Sequence, residues 1–336
     1  MIHEAILKLA ENEDLTENEA AKAMEDIMEG KASTPQIKEF LLGLKQKGET
    51  VQEITACARI MRKKSARIEP DAKFLVDTCG TGGDNSGTFN ISTAAAFVAA
   101  GAGASVAKHG NRSISSKCGS ADVLLALGVK IDLEPQKVKE CIEKIGIGFL
   151  FAPKFHPAMK YAMDARKELS TRTVFNILGP LTNPAGAKSQ LIGVFDANLL
   201  PVMANALKNL GTRHAIIVNG GGLDEITLSG STDVFELKNG NIESYSINPE
   251  DYGFGLCHAD SLKGDTPEEN ASIIIDILNG SKGPRKDVAV LNAAAALLAA
   301  GLAKDYEGGI ALAARSIDTG NAMKKLNELK EFSNNA

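Results

Sequence analysis

The chain has 336 residues, 44% hydrophobic and 24% charged. These values sit near the globular average and exclude a disordered, collagenous or coiled-coil protein. At ~100–200 residues per domain the length predicts about two domains, with a core large enough to need no disulfide or metal staple. The formal net charge of −5 argues against a general nucleic-acid binder, whose footprint is basic, though not against a local basic groove. The five cysteines (Cys57, Cys79, Cys118, Cys141, Cys257) form no CxxC pair and no zinc spacing. A scattered odd set reads as reduced thiols in a cytoplasmic protein. The start, MIHEAILKLAENED, lacks the basic region of a signal peptide. Val288 to Ala303 is alanine-rich, holds Asn292 and Gly301, and falls short of the ~20 apolar residues that span a bilayer.

The first 66 residues predict a small helical domain. They hold three of the 32 glycines and carry helix-start signals. Thr16 with Glu19 and Thr50 with Glu53 fit the capping box. Thr34-Pro35 fits an N-cap followed by proline. Apolar spacing marks one face on each of three helices: Leu15 to Met28, Ile37 to Leu44, and Ile54 to Met61. Residues 67–73 read as a linker.

From residue 74 strands alternate with helices, which predicts an α/β domain with a mostly parallel central sheet. Strands are expected at 74–77, 104–107, 146–151, 190–195 and 215–218. Helices are expected at 91–100, 121–127, 136–145, 157–168, 199–210, 268–279 (capped by Thr266 with Glu269), 289–300, and over most of 306–331. Residues 234–237 and 242–246 read as a hairpin through Asn239-Gly240, a strong turn dipeptide.

Three segments carry chemistry. In Val76-Asp-Thr-Cys-Gly-Thr-Gly-Gly-Asp-Asn-Ser-Gly-Thr-Phe-Asn-Ile-Ser-Thr93 a strand enters a loop of four glycines and then a helix. Backbone amides of such a loop converge on an anion. Asn90, Ser92 and Thr93 stand where the helix N-terminus favours phosphate. No Gly-Lys-Ser/Thr follows, so the Walker pattern is excluded. In Lys108-His-Gly-Asn-Arg-Ser-Ile-Ser-Ser-Lys-Cys-Gly-Ser120, three cations and four serines suit a polyphosphate. Which of Lys108, Arg112 and Lys117 faces it is open from residue types. In Val218-Asn-Gly-Gly-Gly-Leu-Asp-Glu225 a glycine turn ends in paired carboxylates. Alone they read as solvated acids; beside two anion-binding segments they read as a magnesium pair. Eleven of the 32 glycines fall in residues 80–87, 101–119 and 220–222. Two further segments are weaker. Arg166 ends the helix expected at 157–168, and Phe175 to Pro184 reads as a rigid turn set by two prolines and a glycine. The sum is magnesium-dependent chemistry on a phosphorylated substrate.

In this order, DTCGTGGDNSGTFNIST, KHGNRSISSKCGSAD, RTVFNILGPLTNP and GGLDE resemble the anthranilate phosphoribosyltransferase family over nearly the whole chain. The resemblance implies a small helical domain hinged to a larger α/β domain at 67–73, with a second hinge near 165–175 and the site in the cleft. It implies a homodimer through the helical domain. It also implies magnesium-dependent transfer of the phosphoribosyl group of phosphoribosyl pyrophosphate to the amine of anthranilate, in tryptophan biosynthesis. By the same resemblance Gly80, Gly83, Asp84, Thr88, Asn90, Ser92, Thr93, Lys108, Asn111, Ser116 and Ser120 bind the donor. Gly80, His109, Asn111 and Arg166 meet anthranilate, with Arg166 on its carboxylate. Ser92, Asp224 and Glu225 hold magnesium, and no residue acts as acid or base. Pyrimidine nucleoside phosphorylases share much of the Lys-His-Gly segment. They typically carry glycine where Asn111 stands and lack Thr-Gly-Gly-Asp at 81–84. A nucleic-acid-binding relative would be more basic and would lose Asp224-Glu225.

Overall fold

The computed structural model describes residues 1–84, 86–113 and 117–336. It opens with four helices, α1 (Ile2–Ala10), α2 (Glu17–Met28), α3 (Thr34–Lys47) and α4 (Val51–Lys64). Both expected capping boxes form, at Thr16/Glu19 and Thr50/Glu53. The third cap differs. Ser33, not Thr34, is the N-cap residue and shares a box with Gln36, which leaves Pro35 in the first turn. Helix α1 was not anticipated, although Ile2, Ala5 and Leu9 form its buried stripe.

The strands are β1 (Leu75–Gly80), β2 (Ser105–Gly110), β3 (Ile147–Phe151), β4 (Ser189–Gly193), β5 (His214–Asn219), β6 (Thr232–Lys238) and β7 (Asn241–Ile247). They form one sheet in the order β3-β2-β1-β4-β5-β6-β7. The first five are parallel; β6 and β7 add antiparallel as the expected hairpin. Asn239 and Gly240 both take positive φ, 51° and 86°, as a two-residue hairpin turn requires.

The remaining helices are α5 (Ile91–Gly101), α6 (Ser120–Ala126), α7 (Pro135–Ile145), α8 (Ala152–Phe155), α9 (Met163–Leu169), α10 (Val174–Leu181), α11 (Leu199–Asn209), α12 (Pro267–Leu278), α13 (Pro284–Ala300), α14 (Tyr306–Asp318) and α15 (Asn321–Asn335). Three expectations need correction. The helix over 157–168 starts as tighter 3-10 turns at Pro157–Ala162 before α9. Ala162 and Ala165, three residues apart and so on one face, are both fully buried. The segment 306–331 is two helices, because Gly320 sits in the left-handed region between them (φ 74°). Phe175 to Leu181 is helical rather than a turn. Pro180 stands inside this helix, one residue before its end, and forgoes one backbone N–H bond there.

Alternate residues along β5 feed opposite cores. Ile216 and Val218 join the core that includes α5, α12, α13 and α14, whereas Ala215 and Ile217 join the core that includes α1–α4 and α9–α11. The period-2 alternation therefore builds three layers, helices on both faces of the sheet. The core of the helical start continues into Ala162, Ala165, residues 174–181 and the buried face of α11. No helix among the described residues is long and apolar enough to cross a membrane.

Candidate active site at the sheet switch point

Chain order runs outward from β1 to β3, then returns to the other side of β1 with β4. Strands β1 and β4 thus flank the switch point, and ligands of open α/β sheets bind beyond the carboxyl ends of strands there. The first glycine segment leaves β1 at this place. The acidic segment leaves β5 next door and folds back over Gly80 and Gly193, the last residues of β1 and β4.

The fold-back is held by named bonds. Asn219, buried at the end of β5, donates to the Val194 carbonyl (2.6 Å) and accepts from the Gly222 amide (2.9 Å). Gly221 and Gly222 take positive φ, 68° and 98°, which reverses the chain at little cost. The amide of Gly82 donates to Asp224 Oδ2 (2.8 Å), and the amide of Ser92 at the start of α5 donates to Glu225 Oε1 (3.0 Å). Asn292 of α13 clamps the next residue. It accepts from the Ile226 amide (3.0 Å) and donates to its carbonyl (2.9 Å). The acids, the glycine loop and the N-terminus of α5 are therefore one unit.

Lys108 of β2 is buried and reaches the same unit, donating to the Thr78 carbonyl (2.7 Å) and Ser92 Oγ (3.1 Å). Of the three cations left open by the sequence, it alone is buried here. Arg112 pairs with Asp122 at 3.7 Å, and Lys117 pairs with Asp265, both lysine and arginine exposed. Burial lowers the Lys108 pKa, and Asp77 opposes that shift. Asp77, fully buried on β1, also accepts from the His109 amide (3.1 Å).

Burial and the neighbouring Asp84 push Asp224 up to about 7. Burial and Asp224 push Glu225 well above the usual carboxylate range. Two adjacent acids whose charged forms are disfavoured form a site that gains from a cation. Among the described residues no three His, Cys, Asp or Glu side chains converge as a metal cage. A cation here must complete its shell from other oxygens, as magnesium does with phosphate and water.

Beside this unit two histidines are buried. The buried rings of His109 and His156 stand 5.1 Å apart, and neither Nε2 has a partner among the described residues. Burial and His156 hold His109 down at about 3; burial holds His156 at about 4. Both are neutral near pH 7. Arg166 of α9 seats its guanidinium over Phe175, 5.3 Å from the ring centroid, and has no hydrogen bond or ion pair among the described residues.

Other anticipated residues fall into place unevenly. Gly80 abuts Asp224. Asp84 accepts from the Ser86 amide and hydroxyl, and Thr88 Oγ1 stands 3.3 Å from Ser86 Oγ. Asn90 is the N-cap residue of α5, and Ser120 donates to the Asn111 carbonyl at 3.3 Å. Thr93 is fully buried and its hydroxyl has no partner among the described residues, so that side chain faces the core. Ser116 lies outside the described residues. Sequence reading missed Gly193, Asn219 and Asn292. Only Asn292 left a signal, as a polar residue in an otherwise apolar helix.

Fold and site define a two-domain glycosyl-transfer class. Residues 3–65 match the helical bundle domain of the glycosyl transferase family, and residues 72–323 match its a/b domain. An anthranilate phosphoribosyltransferase of Acetivibrio thermocellus is 55% identical over 99% of this chain and 97% of its own length. The crystal structure of anthranilate phosphoribosyltransferase from Thermus thermophilus superposes with a TM-score of 0.94 at 43% identity, covering 98% of this chain and 99% of that one. The Saccharomyces cerevisiae enzyme in complex with PRPP and Mg superposes with a TM-score of 0.92 at 26% identity, covering 100% of this chain and 98% of that one. The chain belongs to the anthranilate phosphoribosyltransferase family.

Proposed function

We infer that the chain transfers the 5-phosphoribosyl group of phosphoribosyl pyrophosphate to the amine of anthranilate, releasing pyrophosphate, as a step of tryptophan biosynthesis. The observation that carries this reading is the unit at the switch point, where a glycine loop, a helix N-terminus, a buried lysine and paired acids meet in one place. The donor lies along Gly80, Gly83, Asp84, Thr88, Asn90, Ser92, Lys108, Asn111, Ser116 and Ser120. Anthranilate lies beside Gly80, His109 and Asn111, with Arg166 on its carboxylate.

Magnesium fits the residues present. Asp224, Glu225 and Ser92 offer only oxygen donors; burial and Asp84 raise Asp224, and burial and Asp224 raise Glu225. When bound, the ion supplies positive charge against that growing on the leaving pyrophosphate. The rest of the work falls to the protein. In this reading the glycine loop and the positive end of the α5 dipole stand beside the developing charge before the bond breaks. Lys108 holds a fixed cation beside them. The nucleophile is a neutral aromatic amine, so no strong base is needed. His109 and His156, neutral and packed, shape a dry pocket, and Arg166 orients the ring.

The helical domain (1–66), the linker 67–73 and the segment 165–175 act in this reading as a closing unit. The protein works as a cytoplasmic homodimer through its helical domain. Purified protein with magnesium and phosphoribosyl pyrophosphate is expected to consume anthranilate, read as loss of its fluorescence. No loss, with phosphorolysis of thymidine or uridine instead, would refute the assignment.

A further inference from the structure

One cation of the cleft has no role in the reading above. Arg172 lies in the short link between α9 and α10, on the helical side, where Lys45 of α3 donates to the adjacent Thr171 hydroxyl. Its side chain crosses to the sheet. The guanidinium stacks on the ring of Phe195, just past β4, with its carbon 3.8 Å from the ring centroid. Its other side meets Gly83, in the glycine loop. A Cβ built there would sit 3.2 Å from Arg172 Nε and 3.3 Å from Nη2. Gly83 also takes a positive φ of 76°, so the loop reaches the guanidinium only as glycine.

The Arg172 side chain makes no hydrogen bond and no ion pair among the described residues. A guanidinium has five donors in its plane, and stacking covers its faces but not its edges. A half-buried guanidinium with open donors, pressed against an anion-cradling backbone, suits a planar or forked oxyanion. Arg166 shows the same construction on Phe175. The cleft therefore holds two aromatic-seated arginines, one per end of the reaction.

We propose that Arg172 is a donor-binding residue that hydrogen-bonds the diphosphate of phosphoribosyl pyrophosphate from beside the glycine loop at Gly83, with Phe195 as its platform. This rests on the reading of the glycine loop as the diphosphate cradle. Because Arg172 is carried by the link beside α3, its contact also ties the filled loop to the helical side.

The test is calorimetric titration of the full chain with magnesium pyrophosphate, which needs no turnover. Loss of charge-assisted hydrogen bonds predicts on the order of 10- to 100-fold weaker binding in Arg172→Ala. Arg172→Lys keeps charge but not the fork and falls between. Phe195→Leu, which removes only the platform, weakens binding less than Arg172→Ala. Steady-state kinetics should show the donor KM rising in Arg172→Ala while the anthranilate KM holds. Pyrophosphate affinity within about twofold of the parent in a folded Arg172→Ala, or equal rises in both KM values, would overturn the proposal. So would parent protein that binds no magnesium pyrophosphate. Anthranilate consumption by the parent protein tests the underlying function separately. An inactive parent that still binds pyrophosphate through Arg172 would refute the function and keep this site.

Discussion

Gly193→Ala separates positioning of the acidic pair from its chemistry. Gly193 ends β4, pairs with Gly80 on one side and Val218 on the other, and touches no proposed substrate residue except Gly80. Its φ lies outside the left-handed region, so alanine brings no backbone strain there. Space is the obstacle. A Cβ at 193 would stand 1.5 Å from the carbonyl oxygen of Asp224, 2.2 Å from its carbonyl carbon and 2.9 Å from its Cα, where real contacts stay beyond 3.0 Å. All three are backbone atoms, so no side chain can swing aside. To reach even 3.0 Å the Asp224 carbonyl must retreat by half that distance, about 1.5 Å. The loop cannot yield freely, because Asn219 anchors it upstream and Asn292 anchors Ile226 downstream. A shift near 1 Å in a positioning group costs about 100-fold in rate. Overpacking itself costs ~1–3 kcal/mol of stability. Initial rates of anthranilate loss should therefore fall about 100-fold, and the magnesium needed for half-maximal rate should rise. Gly255→Ala is the matched control, since a Cβ there meets nothing within 4 Å. A folded Gly193→Ala protein with kcat/KM within about fivefold of the parent and an unchanged magnesium titration would refute the reasoning.

Four further outcomes are expected. Asp224→Asn with Glu225→Gln should raise the magnesium requirement about 10-fold or more, and an unmoved metal titration would remove them as ligands. Arg166→Ala should raise the anthranilate KM on the order of 10- to 100-fold and leave the donor KM alone; equal effects on both would argue against the carboxylate contact. His156, held at about 4 in the folded protein, takes up its proton near ~6.5 once unfolded, so the unfolded chain binds more protons between those values. Stability is full above pH ~6.5 and falls with pH, by ~2 kcal/mol between pH 7 and 5 for this residue. His156→Gln should flatten that slope in urea unfolding, and an unchanged slope would contradict the burial argument. Asn292→Ala strands the amide and carbonyl of Ile226 in a buried site, which predicts a loss of ~2–4 kcal/mol in thermal unfolding.

What could be read in the sequence was local, and what could not was long-range. Thr16 with Glu19 and Asn239 with Gly240 specify their structure within a few residues, so cap and hairpin are legible from residue types alone. The glycine loop is legible because amide convergence needs glycines in one short stretch. Gly193 is different. Its requirement comes from the Asp224 backbone 31 positions later, brought onto it by strand order and not by any local pattern. Asn292 is intermediate, since a buried amide in an alanine helix announces a partner without saying which. The same distinction explains the helical start. Its stripes are plain, but they close on α9, α10 and α11, so apolar faces reported that partners exist and only the fold supplied them. Arg172 is the sharpest case. A lone arginine in a link carries no spacing signal. It becomes informative only when Phe195 and Gly83, from two different strand ends, meet on either side of it. The roles most dependent on topology, Gly193 under the acids and Arg172 over the loop, are for that reason the ones where substitution tests the geometry of the site.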